Sequence, residues 1–216
     1  MHIDIEEALR YIGAGAGDEA LRAQVEFIAG TITEIPRYTY RIFSLEQTDE
    51  GFFLPEADLT LTGKTARTML ATSAKAAVLV CSLGVGFDTR LRSMQVRDMA
   101  KAVILDGCGS ALVEQGCDAA EAELRARFPG LYLTDRFSPG YGDLPLALQP
   151  GICAALDAQR RLGVTVTPSL LLNPSKTVTA FIGLSDRPQK ARIRGCAFCA
   201  MKETCTLRKG GKHCGL

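Results

Sequence analysis

Residues 134–146 read T-D-R-F-S-P-G-Y-G-D-L-P-L, and they combine two prolines and two glycines with two aspartates, an arginine and a tyrosine. Proline next to glycine is typical of turns, and charged side chains in a turn are usually solvated. A surface loop is therefore the simplest interpretation. A functional interpretation needs support from other parts of the chain.

Length and composition favour one large domain, or one domain with an appendage, in a chain of 216 residues. Apolar residues make up 47% of the sequence, and no apolar run approaches the roughly 18 residues of a membrane helix. The formal net charge of +1 gives no general electrostatic reason to bind nucleic acid or a membrane surface. The start, M-H-I-D-I-E-E, has no basic or apolar signal region, so we expect a cytoplasmic protein.

Hydrophobic periodicity predicts a mixed α+β domain that extends to about residue 187. The predicted helices begin after Asp4 and Asp18 and then cover residues 63–73, 88–114 (as one or two helices), 118–128 and 150–163. The predicted strands cover residues 38–45, the F-F-L after a turn at 48–51, and residues 76–83, 131–133, 164–172 and 177–184. The continuous apolar run at 76–83 is typical of a buried strand.

Gly84-Val85-Gly86 lies between this buried strand and a predicted helix, which is the outline of a nucleotide-binding turn. The third glycine of that motif is missing, so a structural turn is favoured. The alternative is an ordinary doubly wound methyltransferase that binds S-adenosylmethionine at this turn. It requires an acidic residue at the end of the next strand, and the sequence offers no such strand.

Eight cysteines fall into two groups. Cys81, Cys108, Cys117 and Cys153 are scattered through apolar segments, where small buried side chains are expected. The other four, Cys196, Cys199, Cys205 and Cys214, lie in the last 21 residues with gaps of two, five and eight residues.

Four thiolates at this spacing can converge on Zn²⁺ or an iron-sulfur cluster. The uneven gaps favour a [4Fe-4S] cluster over zinc, and His213 is an alternative to Cys214 as fourth ligand. A redox-active dithiol and chance clustering are the competing interpretations. The same tail carries seven lysines and arginines between Lys190 and Lys212, opposed only by Glu203, which suits an anionic partner.

Two motifs in order resemble the activation domain of cobalamin-dependent methionine synthase. That domain carries an R-x-x-P-G-Y segment and, downstream, a P-x-x-S-V-S-G-like strand. The first motif is matched by Arg136, Pro139, Gly140 and Tyr141, and the second by Pro174, Thr177, Val178 and Thr179. The resemblance covers residues 75–187 best.

The resemblance implies an α+β fold with a mixed or antiparallel twisted sheet flanked by helices. It assigns residues 1–187 to an S-adenosylmethionine-binding domain and leaves 188–216 as a metal or iron-sulfur tail. It also implies methyl transfer from S-adenosylmethionine to the cob(I)alamin of a partner, which is a methionine synthase core or another corrinoid protein. An electron donor such as flavodoxin or ferredoxin would serve this reaction.

The chain lacks a D-x-H-x-x-G cobalamin signature and the other modules of methionine synthase, so the resemblance implies a free-standing reactivation protein. It implies no catalytic side chain, because positioning is the protein's task in this reaction. A non-catalytic, metal-stabilised interaction module is the remaining alternative.

The resemblance also assigns ligand-binding roles. Arg136 is expected to bind the carboxylate of the methionyl part, Ser138 and Gly140 to offer backbone groups, and Tyr141 to lie near the ligand. Glu114 is expected to balance an amino or sulfonium charge. After Tyr141 the sequence Gly142-Asp143-Leu144 departs from the family pattern.

Overall fold

A computed structural model of the protein describes residues 2–13, 18–189 and 203. The helices are α1 (Ile5–Ile12), α2 (Glu19–Gly30), α3 (Lys64–Leu70), α4 (Gly84–Arg97), α5 (Met99–Arg127), α6 (Gln149–Ala155) and α7 (Ala158–Leu162). The strands are β1 (Arg37–Ser44), β2 (Glu46–Gln47), β3 (Gly51–Leu54), β4 (Leu59–Thr62), β5 (Lys75–Ser82), β6 (Tyr132–Leu133), β7 (Thr165–Val166), β8 (Leu172–Asn173) and β9 (Thr177–Ser185).

The central sheet has the strand order β1-β5-β9-β6, and each neighbouring pair is antiparallel. Strand β5 lies inside this sheet and is buried from Ala76 to Ser82, which explains its unbroken apolar run. The predicted α+β fold class with an antiparallel sheet is therefore confirmed. The alternative of a doubly wound methyltransferase is wrong, because that fold needs parallel strands whose carboxyl ends meet at one edge.

One face of the sheet is covered by α1, α2, α4 and the long α5. Helix α5 approaches the sheet closely at Gly116. A Cβ at this position would lie 2.5 Å from Cβ of Pro36 and 2.6 Å from Sγ of Cys81, so only glycine fits the contact. This close approach fixes the height of α5 above β5.

The other face is covered by α3, α6, α7 and a small antiparallel sheet of β2, β3 and β4. Phe137 and Phe181 pack together in this core, with ring centroids 5.8 Å apart. Strands β7 and β8 form a separate two-stranded sheet, and β8 leads through the cis Asn173–Pro174 peptide towards β9.

Several predicted boundaries differ from the structure. Residues 88–114 were expected as one or two helices and 118–128 as a further one. Instead α4 ends at Arg97, and α5 runs without a break from Met99 to Arg127. The helix expected over 150–163 divides into α6 and α7, because Asp157 adopts a left-handed conformation with φ 52°. Only the ends of the strand expected over 164–172 are extended, and Leu170 between them has φ 64°.

The hairpin expected from residues 38–45 forms differently. Strand β1 pairs with β5, while the short β2 makes the turn into β3.

Cys81, Cys108 and Cys117 are free and buried, and Cys153 is partly buried, as predicted. Burial raises the pKa of the Cys108 thiol and of the Cys153 thiol to about 11, so both stay protonated at neutral pH. The four tail cysteines and His213 lie outside the described residues, so their metal or cluster site stays a prediction. Within the described part of the chain, no helix has the length and apolar character needed to cross a membrane.

Candidate functional site

The segment that carries Arg136 runs along the outer edge of β9. The backbone nitrogen of Thr134 donates to the carbonyl of Gly183 at 3.0 Å, and Phe137 exchanges hydrogen bonds with Phe181 at 3.1 and 2.9 Å. Successive side chains of an extended segment point to opposite faces. Phe137 therefore enters the core beside α3, and Arg136 faces α5.

Arg136 lies in a cluster with three carboxylates of α5. Its Nη2 donates to Glu114 at 2.5 Å, and its Nη1 donates to Asp118 at 2.6 Å and to Glu121. The Arg136 side chain is only 7% exposed, so this guanidinium needs its partners. We call Arg136, Glu114, Asp118 and Glu121 the arginine cluster.

Exposure differs sharply among the three carboxylates. The side chain of Glu121 is 5% exposed and that of Glu114 is 30% exposed, whereas that of Asp118 is 60% exposed. Glu121 also pairs with Arg125 at 3.0 Å. The cluster thus grades from a buried end at Glu121 to a solvent-facing end at Asp118.

The electrostatics of the cluster favour cations. Burial alone would lower the pKa of Arg136, but the charge of Glu114 and the hydrogen bonds to Asp118 and Glu114 raise it above its ordinary value. Arg136 therefore stays charged at all accessible pH values. Within the described part of the chain, the three carboxylates pair with two guanidinium groups, those of Arg136 and Arg125, so carboxylates outnumber these cations. A ligand with an ammonium or sulfonium group suits such a surface.

Ser138, Gly140 and Tyr141 form the turn that follows Arg136. The nitrogen of Tyr141 donates to the carbonyl of Ser138 at 3.0 Å, and the nitrogen of Gly140 donates to the carbonyl of Leu144 at 2.8 Å. Gly140 has φ 88°, a conformation that favours glycine. The side chain of Tyr141 is half-exposed, so its ring is accessible to a bound molecule.

Asp143 has a structural role that the sequence did not indicate. Its carboxylate accepts hydrogen bonds from the backbone nitrogens of Lys64 at 2.5 Å and Thr65 at 2.9 Å, which are the first residues of α3. A hydrogen bond from the Thr65 hydroxyl, together with these two backbone bonds, lowers the pKa of Asp143 to about 2. Asp143 thus caps α3 from 79 residues away, a task usually done by the residue just before a helix.

The second motif helps to assemble the sheet. The hydroxyl of Thr177 bonds that of Ser82 at 2.8 Å, and the hydroxyl of Thr179 donates to the side chain of Gln149 at 2.7 Å. Lys176, just before the strand, pairs with Asp106 of α5 at 2.8 Å. The motif therefore positions β9 beside α5, which brings Arg136 within reach of Glu114.

The Gly84-Val85-Gly86 turn is the first turn of α4. Gly84 has φ 78°, and its nitrogen donates to the Ser82 hydroxyl at 3.0 Å. This geometry agrees with the structural role favoured by the sequence.

The structure brings together Arg136 and Glu114, two of the residues to which the resemblance assigns ligand contacts; those ligand contacts stay a prediction. It adds Asp118 and Glu121, which were not predicted. Their positions four and seven residues after Glu114 place all three side chains on one face of a helix. That signal was present in the sequence, but a helix boundary expected between Glu114 and Asp118 concealed it.

Among the described residues, no group of three or more histidine, cysteine, aspartate or glutamate side chains has the geometry of a metal site. The arginine cluster is thus an ion-pair network around a guanidinium.

Comparison with protein-family models and with curated protein sequences found no match. Among solved structures, the chain is similar to the crystal structure of the MetH reactivation domain bound to AdoHcy, with a TM-score of 0.65. The likeness covers 95% of this chain and 77% of that chain, at 14% sequence identity. It establishes that the protein has the fold of a methionine synthase reactivation domain.

Proposed function

We propose that the protein binds S-adenosylmethionine and remethylates the cobalamin of a separate methionine synthase or related corrinoid protein. The observation that carries this proposal is the arginine cluster, which joins Arg136 of the R-x-x-P-G-Y segment to Glu114. It occurs in a fold shared with a domain whose structure was solved bound to AdoHcy.

The charges of the ligand match those of the site. S-adenosylmethionine carries an ammonium, a sulfonium and a carboxylate. The excess carboxylates of the arginine cluster suit the two cationic groups, with Glu114 as the closest candidate partner for the ammonium. Arg136 offers the planar, doubly donating group that a ligand carboxylate prefers. Ser138 and Gly140 contribute backbone groups, and the half-exposed Tyr141 contributes a ring surface.

The reaction needs little acid-base chemistry from the protein. An external electron, for example from flavodoxin or ferredoxin, reduces cob(II)alamin on the partner to cob(I)alamin. Cob(I)alamin then attacks the methyl carbon of the sulfonium, the carbon-sulfur bond breaks, and S-adenosylhomocysteine leaves as a neutral thioether. The contribution of this chain is to hold the sulfonium in line with cobalt, which is catalysis by positioning.

Isothermal titration calorimetry tests the ligand site. We expect saturable binding of both S-adenosylmethionine and S-adenosylhomocysteine, weakened by at least tenfold in Glu114→Gln. Glu123→Gln is the matched control, because Glu123 lies on the same helix but accepts hydrogen bonds from Tyr38 and Tyr40. If neither ligand binds the wild-type chain, the proposal fails.

A transfer assay tests the reaction itself. The protein is mixed with a cob(II)alamin-loaded methionine synthase core, a reductant and S-adenosylmethionine, and formation of methylcobalamin is followed by absorbance. Tight ligand binding without methylcobalamin formation would instead favour the non-catalytic interaction module.

We also propose that Cys196, Cys199, Cys205 and Cys214 hold a [4Fe-4S] cluster, with zinc as the alternative. A cluster would give the chain its own route for the electron that the reaction consumes. Analysis of iron, acid-labile sulfide and zinc in anaerobically purified protein distinguishes the two. The double variant Cys196→Ser/Cys199→Ser should lose the metal, whereas Cys153→Ser, at a cysteine of the folded domain, should retain it.

A further inference from the structure

The three carboxylates of the arginine cluster are not equivalent partners of Arg136. Asp118 and Glu121 share one nitrogen, Nη1, while Nη2 donates to Glu114. Glu121 is buried and also paired with Arg125, whereas Asp118 is 60% exposed. One of the two carboxylates on Nη1 is thus fixed by its surroundings, and the other faces solvent.

The cost of breaking each pair differs accordingly. Separating the buried Glu121 from Arg136 would break an ion pair between two desolvated groups, which is strongly destabilising even though Glu121 also pairs with Arg125. Separating Asp118 from Arg136 costs little, because water solvates the released carboxylate and exposed ion pairs contribute little stability. Asp118 is therefore the partner that Arg136 can exchange.

We propose that Asp118 is a specificity-determining residue: its carboxylate lies where the ligand's carboxylate binds Arg136, and the ligand displaces it. This inference rests on the proposed S-adenosylmethionine site. The two carboxylates are chemically alike and use the same donor, Nη1, so they compete directly. Asp118 thus weakens the binding of carboxylate-bearing ligands, while its charge continues to favour cationic groups.

We call the displacement of Asp118 from Arg136 by the ligand's carboxylate the exchange. It predicts an effect that depends on the ligand's carboxylate alone. S-adenosylhomocysteine and its decarboxylated analogue share the adenosine, the thioether and the ammonium, and they differ only in that carboxylate. Removal of Asp118 should strengthen the binding of S-adenosylhomocysteine relative to the analogue. A purely structural role for Asp118, in which it holds Arg136 in place, predicts the reverse.

Calorimetric titration of both ligands into wild type, Asp118→Asn and Asp118→Ala tests the exchange. We expect the ratio of the two dissociation constants to shift in favour of S-adenosylhomocysteine by about fivefold, the upper range for an exposed ion pair. Asp118→Ala, which has no side-chain oxygen, should show at least the shift of Asp118→Asn. Glu123→Gln, which removes a carboxylate from another face of α5, should leave the ratio unchanged.

The outcomes separate this inference from the proposed function. If the wild-type chain binds S-adenosylhomocysteine but the ratio is unchanged in both Asp118 variants, or shifts towards the analogue, the exchange is overturned and the ligand site stands. If the wild-type chain binds neither ligand, the ligand site is overturned and the exchange with it.

Discussion

The segment from Arg136 to Asp143 is held at both ends by helices on opposite sides of the central sheet, yet the two attachments differ in kind. Arg136 enters a largely buried cluster of carboxylates on α5, whereas Asp143 accepts two backbone hydrogen bonds at the exposed start of α3. The comparison shows that two charged residues of one segment can contribute very differently to the free energy of unfolding. The size of each contribution depends on how deeply the charge is buried.

Arg136→Ala should have the largest effect on stability. Without the guanidinium, the buried Glu121 keeps its pair with Arg125 but loses the one with Arg136, and the three carboxylates repel one another. We expect the free energy of unfolding to fall by about 3–5 kcal/mol, the usual cost of breaking a buried ion pair. Urea denaturation followed by circular dichroism measures it.

Arg136→Lys is the control for this prediction, because an ammonium keeps the charge but cannot reach all three carboxylates at once. It should lose less stability than Arg136→Ala. If both variants lost less than about 1 kcal/mol of unfolding free energy, the arginine cluster would contribute no more than an exposed ion pair. The contrast with Asp143 would then be wrong.

Gly142→Ala should have an intermediate effect, since Gly142 sets the direction of the chain between the two attachments. Its φ is 60°, and a Cβ would lie 2.5 Å from Oγ1 of Thr65. We expect a loss of about 1–2 kcal/mol from the left-handed conformation alone, measured by urea denaturation. Gly130→Ala is the matched control, because a Cβ at Gly130 meets nothing within 4 Å. Equal losses in the two variants would contradict the prediction.

Asp143→Ala should have a smaller effect, because the carboxylate it removes is exposed. The first turn of α3 loses two acceptors, which lowers the melting temperature and the protection of the Lys64 and Thr65 amides against hydrogen exchange. Asp143→Asn keeps one acceptor oxygen and should lie between Asp143→Ala and wild type.

The pH dependence of the Asp143 contribution has a definite sign. Its pKa is lowered from 3.8 to about 2 in the folded protein, so the unfolded chain takes up the proton first as the pH falls. The stabilisation is complete above the unfolded pKa and disappears as the pH falls towards 2. Wild type and Asp143→Ala should therefore converge in melting temperature between about pH 4 and pH 2. A difference that persists unchanged at pH 2 would contradict the ionic cap.

The sequence predicted the elements whose local pattern agrees with their final environment. Strand β5 is buried on both faces and reads as one apolar run, and α1 and α2 begin at the aspartates that cap them. Where tertiary contacts decide, the pattern misled. Glycine by itself disfavours a helix, so Gly116 suggested that a helix ends nearby. In the structure Gly116 lies inside α5, because only a glycine fits against Pro36 and Cys81.

The site was predicted in part for the same reason. The first motif contains Arg136, and the family resemblance added Glu114 from the preceding helix; the structure joins the two side chains. Asp118 and Glu121 join the site because α5 is one continuous helix that carries all three carboxylates on one face. The sequence predicted two helices there and so did not indicate them. The role of Asp143 depends on a contact with Lys64 and Thr65, and no local pattern reports a partner so distant in sequence.

Asp118→Ala should have the smallest effect on stability, although Asp118 belongs to the same cluster as Arg136. Its side chain is 60% exposed, and Nη1 keeps Glu121 as a partner when Asp118 is removed. One of the mutually repelling carboxylates is also lost, which offsets the lost ion pair. We expect a change of less than about 1 kcal/mol in the free energy of unfolding, measured by urea denaturation. A loss close to that of Arg136→Ala would mean that Asp118 cannot leave Arg136 without cost, and a ligand carboxylate could not then displace it.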